Sequence, residues 1–236
     1  MKRSGGTDAQ KRRAGERAAD AVSDGDAVGL GTGSTAGAAI RALGRRVDAG
    51  LDIRGIGTSH QSRALAREAG IPLLTLEDVT PDIAIDGADL VAGVDGRGSI
   101  DLIKGGGAAH TREKLVAAAA DRFLVVADPT KLAGAIDAPV PIEVLADAVP
   151  VVERDLSALG GDPTLRAAER KDGPVVTDNG NLVIDCAFGT IGEPETLAAD
   201  LASLPGVVDH GLFVGLADEV YVGTDDGVEV YSADTR

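Results

Sequence analysis

Cysteine is almost missing from this chain. Cys186 is the single example among 236 residues, so no internal disulfide can form and no thiolate cluster can hold zinc. Long apolar runs are missing too: stretches such as Phe123 to Ala127 end well short of the ~20 residues that cross a bilayer, and no charged-then-apolar leader opens the chain. A soluble cytoplasmic protein with no membrane partner is expected. Lysine is scarce, with 6 Lys against 17 Arg, while 27 Asp stand against 11 Glu and the formal net charge is -15. With no basic stripe to interrupt it, such a surface repels a phosphate backbone, which argues against nucleic acid as a partner. The skew toward aspartate resembles the cytoplasm of a halophile, where at ~1 M salt the Debye length is only ~3 Å and self-repulsion is screened. The three histidines, His60, His110 and His210, are too scattered in sequence to suggest a metal site.

What is present is a 44% hydrophobic chain rich in glycine, long enough to bury a sizeable core. Its first two-thirds alternate helical stretches with short apolar strands, the pattern of parallel βα units. Helices are predicted over Asp8 to Ser23, Ser34 to Val47, Gln61 to Ala69 and Arg112 to Ala120. Strands are predicted over Ala27 to Leu30, Leu51 to Ile56, Ile83 to Ile85 and Phe123 to Ala127. The character changes near Pro139, where a second domain is expected with helices Val149 to Leu159 and Glu195 to Leu204. Thr177-Asp178-Asn179-Gly180-Asn181 carries the Asn-Gly signal of a hairpin, although a plain turn also accounts for it. Strands at Val207 to Phe213, Val220 to Val222 and Val228 to Tyr231 close the chain, the last of them free to rejoin the first sheet.

Three segments carry chemistry. Gly29-Leu30-Gly31-Thr32-Gly33-Ser34-Thr35-Ala36 follows a strand and opens a helix, so backbone N–H groups and the positive helix end converge where an anion can sit. A phosphate or a dinucleotide would fit, and a simple helix cap by Ser34 or Thr35 is the plainer alternative. A dinucleotide site usually wants an acid ~20 residues on, yet the second strand runs into Gly57-Thr58-Ser59-His60-Gln61-Ser62, where hydroxyls stand instead. Asp86-Gly87-Ala88-Asp89 places two carboxylates at the carboxyl edge of a parallel sheet, where such folds gather ligands, although Asp-Gly is also ordinary turn chemistry. Lys104-Gly105-Gly106-Gly107 precedes Glu113. Three glycines in a row are costly to order and point to backbone passing close to a ligand. Lys104 offers a cation for oxyanion charge, and Glu113 offers either a reacting carboxylate or simple complementarity to a helix dipole.

Together with Ala127-Asp128-Pro129-Thr130-Lys131, Thr177 to Asn181 and Gly206-Val207-Val208 with Gly211-Leu212-Phe213, these segments resemble type A ribose-5-phosphate isomerases, in order and over nearly the whole chain. The resemblance implies a Rossmann-like, doubly wound, mainly parallel α/β sheet (1–135 plus 208–236) with an inserted smaller α+β, ferredoxin-like domain (136–207). It implies a homodimer or homotetramer that uses no cofactor or metal and takes D-ribose 5-phosphate and D-ribulose 5-phosphate as substrates, in the non-oxidative pentose phosphate pathway. Carried over by position, the phosphate loop falls on Thr32, Gly33, Ser34 and Thr35. Asp86 and Asp89 become the paired carboxylates, flanking Gly87 and Ala88, and Glu113 becomes the base of a cis-enediolate mechanism. Lys104 with Gly105, Gly106 and Gly107 becomes the oxyanion loop, and Lys131 and Lys11 become further substrate contacts. Three departures stand out: Leu90, where the family usually has an acid, His110, where it often has an apolar residue, and Pro129-Thr130, where a serine more commonly precedes Lys131. The rival readings are an amino-sugar-phosphate deaminase-isomerase, a phosphogluconolactonase, or a sugar-phosphate-sensing module without turnover.

Overall fold

The computed structural model describes residues 5–94 and 99–233. The chain begins α1 (Asp8–Ala19), β1 (Ala27–Leu30), α2 (Ser34–Asp48), β2 (Arg54–Gly57), α3 (His60–Glu68), β3 (Leu73–Leu74) and β4 (Ile83–Gly87). It continues β5 (Leu90–Ala92), β6 (Asp101–Ile103), α4 (His110–Ala119), β7 (Arg122–Ala127) and β8 (Val140–Val144). After these come α5 (Val149–Ala158), β9 (Asp162–Leu165), β10 (Leu182–Ala187), α6 (Pro194–Ser203), β11 (Val207–His210), β12 (Leu212–Phe213), β13 (Glu219–Gly223) and β14 (Val228–Ser232).

Seven strands form a sheet in the order β14-β13-β7-β4-β1-β2-β3. All neighbours run parallel except β14, which lies antiparallel to β13. This is an α/β fold with a mixed, mainly parallel sheet. The apolar runs read from sequence are continuous because both faces are covered. Along β7, Leu124 and Val126 enter one core with Ala18, Ile40 and Leu43 of α1 and α2, while Phe123, Val125 and Ala127 enter another with Val116 of α4. A second, antiparallel sheet has the order β11-β8-β10-β9, from a βαββαβ run whose helices are α5 and α6, and holds its own core around Ile142, Leu156, Ile184 and Leu201. A third, β12-β6-β5, was not anticipated, its strands being only two or three residues long.

Four local expectations need correction. Helix α1 stops at Ala19, not Ser23, because Asp26 takes the Ser23 N–H into a turn at 2.7 Å. The second strand starts at Arg54, not Leu51, because the Leu51 N–H returns to the Arg46 carbonyl and the Asp52 N–H goes to Asp24. The single strand expected over Val207 to Phe213 divides at Gly211, where the chain passes from the second sheet to the third. A Cβ there would lie 2.1 Å from the Lys104 carbonyl oxygen, so only glycine permits the crossing. Finally, the hairpin that Asn-Gly signals at Thr177 to Asn181 does not form, and the alternative reading, a plain turn, holds: the segment leads into β10 with only an isolated bridge between Val176 and Leu182. No helix among the described residues is long and apolar enough to cross a membrane.

Candidate active site

The carboxyl ends of β1, β4 and β7 lie side by side in the parallel sheet, and the loops leaving them build one cavity of about 640 Å³. Crevices at such strand ends are where open α/β sheets place ligands. One wall is Thr32 to Thr35, another is Gly87 to Asp89, and a third is Lys104, Gly105, Gly107 and Glu113, with Lys11 and Lys131 also on the lining. Of the residues singled out from sequence, Asp86 and Gly106 do not line it. Asp86 is only 3% exposed, beneath Lys104, and Gly106 gives its N–H to Asp89 at 2.6 Å.

At one side stands the start of α2. Its N-cap, Gly33, has φ 109° and ψ -177°, a conformation that favours glycine, and no side chain caps the helix. The first-turn N–H groups, which lack intrahelical acceptors, are thus left for a ligand, with no acid in that turn to oppose an anion. Thr32 is held in place by its hydroxyl, which bonds Thr58 at 2.9 Å and Ser59 at 2.7 Å.

At the other side a buried ion cluster forms. The Lys104 ammonium lies 3.1 Å from Asp86 Oδ2 and 3.3 Å from Glu113 Oε2, and donates to the Gly87 carbonyl at 2.5 Å. All three side chains are at most 5% exposed. Asp86 Oδ1 accepts the Thr32 and Gly87 N–H groups at 2.9 and 2.7 Å, coupling the anion loop to the lysine. A Cβ on Gly31 would stand 2.1 Å from that same oxygen, so the backbone passes the carboxylate as closely as glycine allows.

Burial and the neighbouring charge of Asp86 push Glu113 up to about 8, against the opposing pull of Lys104. Burial also raises Asp86, despite Lys104 and its backbone donors. Lys104 is lowered by burial, but Asp86 and Glu113 outweigh that and hold it above the ordinary lysine value. The cluster therefore has a permanent cation beside a carboxyl group that can exchange a proton near neutrality, the combination that proton abstraction next to a carbonyl needs.

The loop between Lys104 and α4 is strained. Gly105 has φ 104°, and Ala108, at φ 58°, is the one non-glycine residue with positive φ among the described residues. His110, noted for departing from the family pattern, is fully buried, has no hydrogen-bond partner for either ring nitrogen, and is pushed down to about 4 by burial. Leu90 does not face the cavity: it is 0% exposed within the core of the second sheet, so an absent acid there removes nothing from the lining.

Besides Gly5, Gly6 and Ala109, four lining residues escaped the sequence reading: Ser59, Gln61, Asp128 and Asp178. Each lies inside a segment already noted, the hydroxyl run after β2, the stretch after β7 and the Asn-Gly turn. Only the fold shows that those segments share one cavity. Among the described residues no group of three or more His, Cys, Asp or Glu could hold a metal ion.

Comparisons agree with this geometry. A family model described as ribose 5-phosphate isomerase A (phosphoriboisomerase A) matches residues 54–227. The ribose-5-phosphate isomerase A of Natronomonas pharaonis is 74% identical over 98% of this chain and 100% of its own length, and that of Haloarcula marismortui is 66% identical over 96% of both. Among solved structures, ribose 5-phosphate isomerase A from Methanocaldococcus jannaschii superposes with a TM-score of 0.89 at 43% identity, covering 94% of this chain and 97% of its own. A D-ribose-5-phosphate isomerase in complex with phospho-erythronic acid gives 0.90 at 40% identity, with the same coverage. With a family model spanning most of its length and relatives this similar end to end, the chain belongs to the ribose 5-phosphate isomerase A family.

Proposed function

We propose that this cavity interconverts D-ribose 5-phosphate and D-ribulose 5-phosphate, a step of the non-oxidative pentose phosphate pathway, through a cis-enediolate. The carrying observation is the Lys104 ammonium held within 3.3 Å of Glu113, in a cavity whose opposite wall is the uncapped start of α2. The phosphate sits on the N–H groups of that turn and the hydroxyls of Ser34 and Thr35, with Lys11 and Lys131 adding charge. The open-chain sugar then reaches toward Glu113.

Glu113 takes the proton from C2, and the electron pair moves into a C1–C2 double bond as the C1 carbonyl becomes an oxyanion stabilised by Lys104. Returning that proton to C1, with loss of the hydroxyl proton from O2 and its gain at O1, completes the ketose. Asp89, which lines the cavity, is assigned the hydroxyl protons and help in ring opening. Asp86, buried beneath Lys104, shares that duty through the cluster and fixes the ammonium. Transfers of this kind contribute about 10²–10⁴-fold each. Binding energy at the remote phosphate is used to align the reacting carbons.

The test follows ribulose 5-phosphate formation from ribose 5-phosphate in a chelator, comparing the protein with Glu113→Gln. Turnover should disappear in the variant while phospho-erythronic acid, whose carboxylate mimics an enediolate's paired oxygens, still binds. Near-normal turnover by Glu113→Gln would remove Glu113 as the base.

The same reading takes 1–135 with 208–236 as a Rossmann-like, doubly wound domain and 136–207 as a ferredoxin-like insert; the βαββαβ order of the second sheet supports the insert, but its last strand, β11, carries it on to His210. It also takes the protein as a cytoplasmic homodimer or homotetramer.

A further inference from the structure

Helix α4 has no side-chain cap of its own: its N-cap is Ala109, directly after the strained Ala108. Something outside the helix must hold this junction, since a residue in a sparsely populated conformation persists only where its surroundings over-determine it. The residues flanking Glu113 show what does. The Thr111 hydroxyl donates to Glu143 on β8 at 2.5 Å, the Arg112 guanidinium donates to Asn179 at 2.7 Å, and the Lys114 ammonium donates to Asp209 on β11 at 2.6 Å. All three partners belong to the second sheet or its turn. Glu113 alone turns toward Lys104.

Glu143 is the centre of this arrangement. It is 0% exposed, and its carboxylate accepts from four side chains: Thr111, Thr177 at 2.7 Å, Asn179 at 3.0 Å and Asn181 at 2.8 Å. A buried carboxylate satisfied by several neutral donors stays ionised and rigid, because losing one donor leaves charge without compensation. Burial pushes Glu143 up, but these four donors together outweigh it and hold the carboxylate below the ordinary glutamate range. The same turn reaches the cavity, since Asp178 lines it and accepts the His60 N–H at the start of α3 at 2.8 Å. A single carboxylate thus ties α4 to the turn that closes one side of the site.

We infer that Glu143 is a positioning residue for the isomerisation, fixing the first turn of α4 and, through it, the approach of Glu113 to Lys104. The inference rests on the function proposed above. Glu143 touches no cavity surface, so it acts only through Thr111 and the 177–181 turn. Misplacing a reacting group by about 1 Å can cost 10²-fold in rate, which makes a rigid hub bonded to Thr111, two residues before the base, worth its desolvation.

The experiment measures kcat, KM and the pH midpoint of kcat for Glu143→Gln, Thr111→Val and Thr111→Ser, each checked by circular dichroism, with Glu113→Gln as control. Thr111→Val removes the hub's direct bond to α4 while leaving the turn's three bonds and the Asn179–Arg112 contact intact, so it decides the matter if Glu143→Gln does not fold. We expect kcat to fall about ten- to a hundredfold in Thr111→Val and Glu143→Gln, with KM changed less than about threefold because the phosphate wall is untouched. The pH midpoint should move, and Thr111→Ser, which keeps the hydroxyl, should restore both. Folded Thr111→Val with normal kcat and an unmoved midpoint, whatever its melting temperature, overturns the inference. An active Glu113→Gln instead overturns the function reading itself, which keeps the two failures distinct.

Discussion

Asp89 accepts the Gly106 N–H at 2.6 Å, so the acid that ends β4's loop directly holds the middle of the triglycine loop. A Cβ built on Gly106 would lie 2.7 Å from Asp89 Oδ1. Gly106→Ala should therefore push the carboxylate out of place and lower kcat by about ten- to a hundredfold, since an orientation error near the reacting carbons is expensive. Steady-state kinetics on ribose 5-phosphate checks this. Wild-type kcat in Gly106→Ala would show that the Asp89 contact does not matter to the chemistry.

Glu113 is pushed up to about 8 in the free protein. A base must be ionised to act, so kcat/KM should rise tenfold per pH unit below about 8 and level off above it. Stability should run the other way. A carboxyl group with a raised folded value favours folding below its unfolded value near 4.5, and that contribution is lost as pH rises through about 8. Glu113→Gln, which mimics the protonated form, should then melt at a higher temperature than the parent at pH 8 to 9. Parallel melting curves across pH settle the sign.

His110 has the opposite linkage. Its ordinary value of 6.5 is pushed down to about 4 by burial, outweighing the neighbouring Glu143 and Asp209. The folded state holds the neutral ring, so stability is complete above 6.5 and is lost as pH falls toward about 4. At about 1.4 kcal/mol per tenfold change in proton affinity, this one group can account for about 3 kcal/mol. His110→Leu should flatten the decline between pH 6.5 and 4 in denaturant titrations, and an unchanged slope would transfer the effect to His210, which burial pushes down to about 3.

Legibility in the sequence followed the range of the interactions. Strand β1 was read to the residue because Ala27, Val28, Gly29 and Leu30 stand between the polar Asp26 and the glycine loop that starts at Gly31, and the Thr32 to Thr35 loop, the aspartate pair and the lysine-triglycine loop were visible because each is contiguous. The third sheet was invisible because its strands are too short to show periodicity. Glu143 was invisible for a different reason: Pro141-Ile142-Glu143-Val144 gives no sign that four donors, up to 38 positions away, will surround the carboxylate. Gly211 looked like part of a strand, and only the packed Lys104 carbonyl explains why the chain must change sheets there.

The last prediction concerns salt. A formal charge of -15 on 236 residues generates self-repulsion that acts over about 10 Å at 0.1 M ionic strength but only about 3 Å at 1 M. The buried ion cluster responds differently, because Lys104, Asp86 and Glu113 are at most 5% exposed and lie beyond the reach of mobile counterions. Raising potassium chloride from 0.1 to 2 M should therefore raise the melting temperature markedly while leaving the pH midpoint of kcat nearly fixed. A midpoint that drifts with salt as strongly as the melting temperature would mean that the cluster is open to solvent in the working protein. A melting temperature indifferent to salt would mean that the acidic surface imposes no cost on folding.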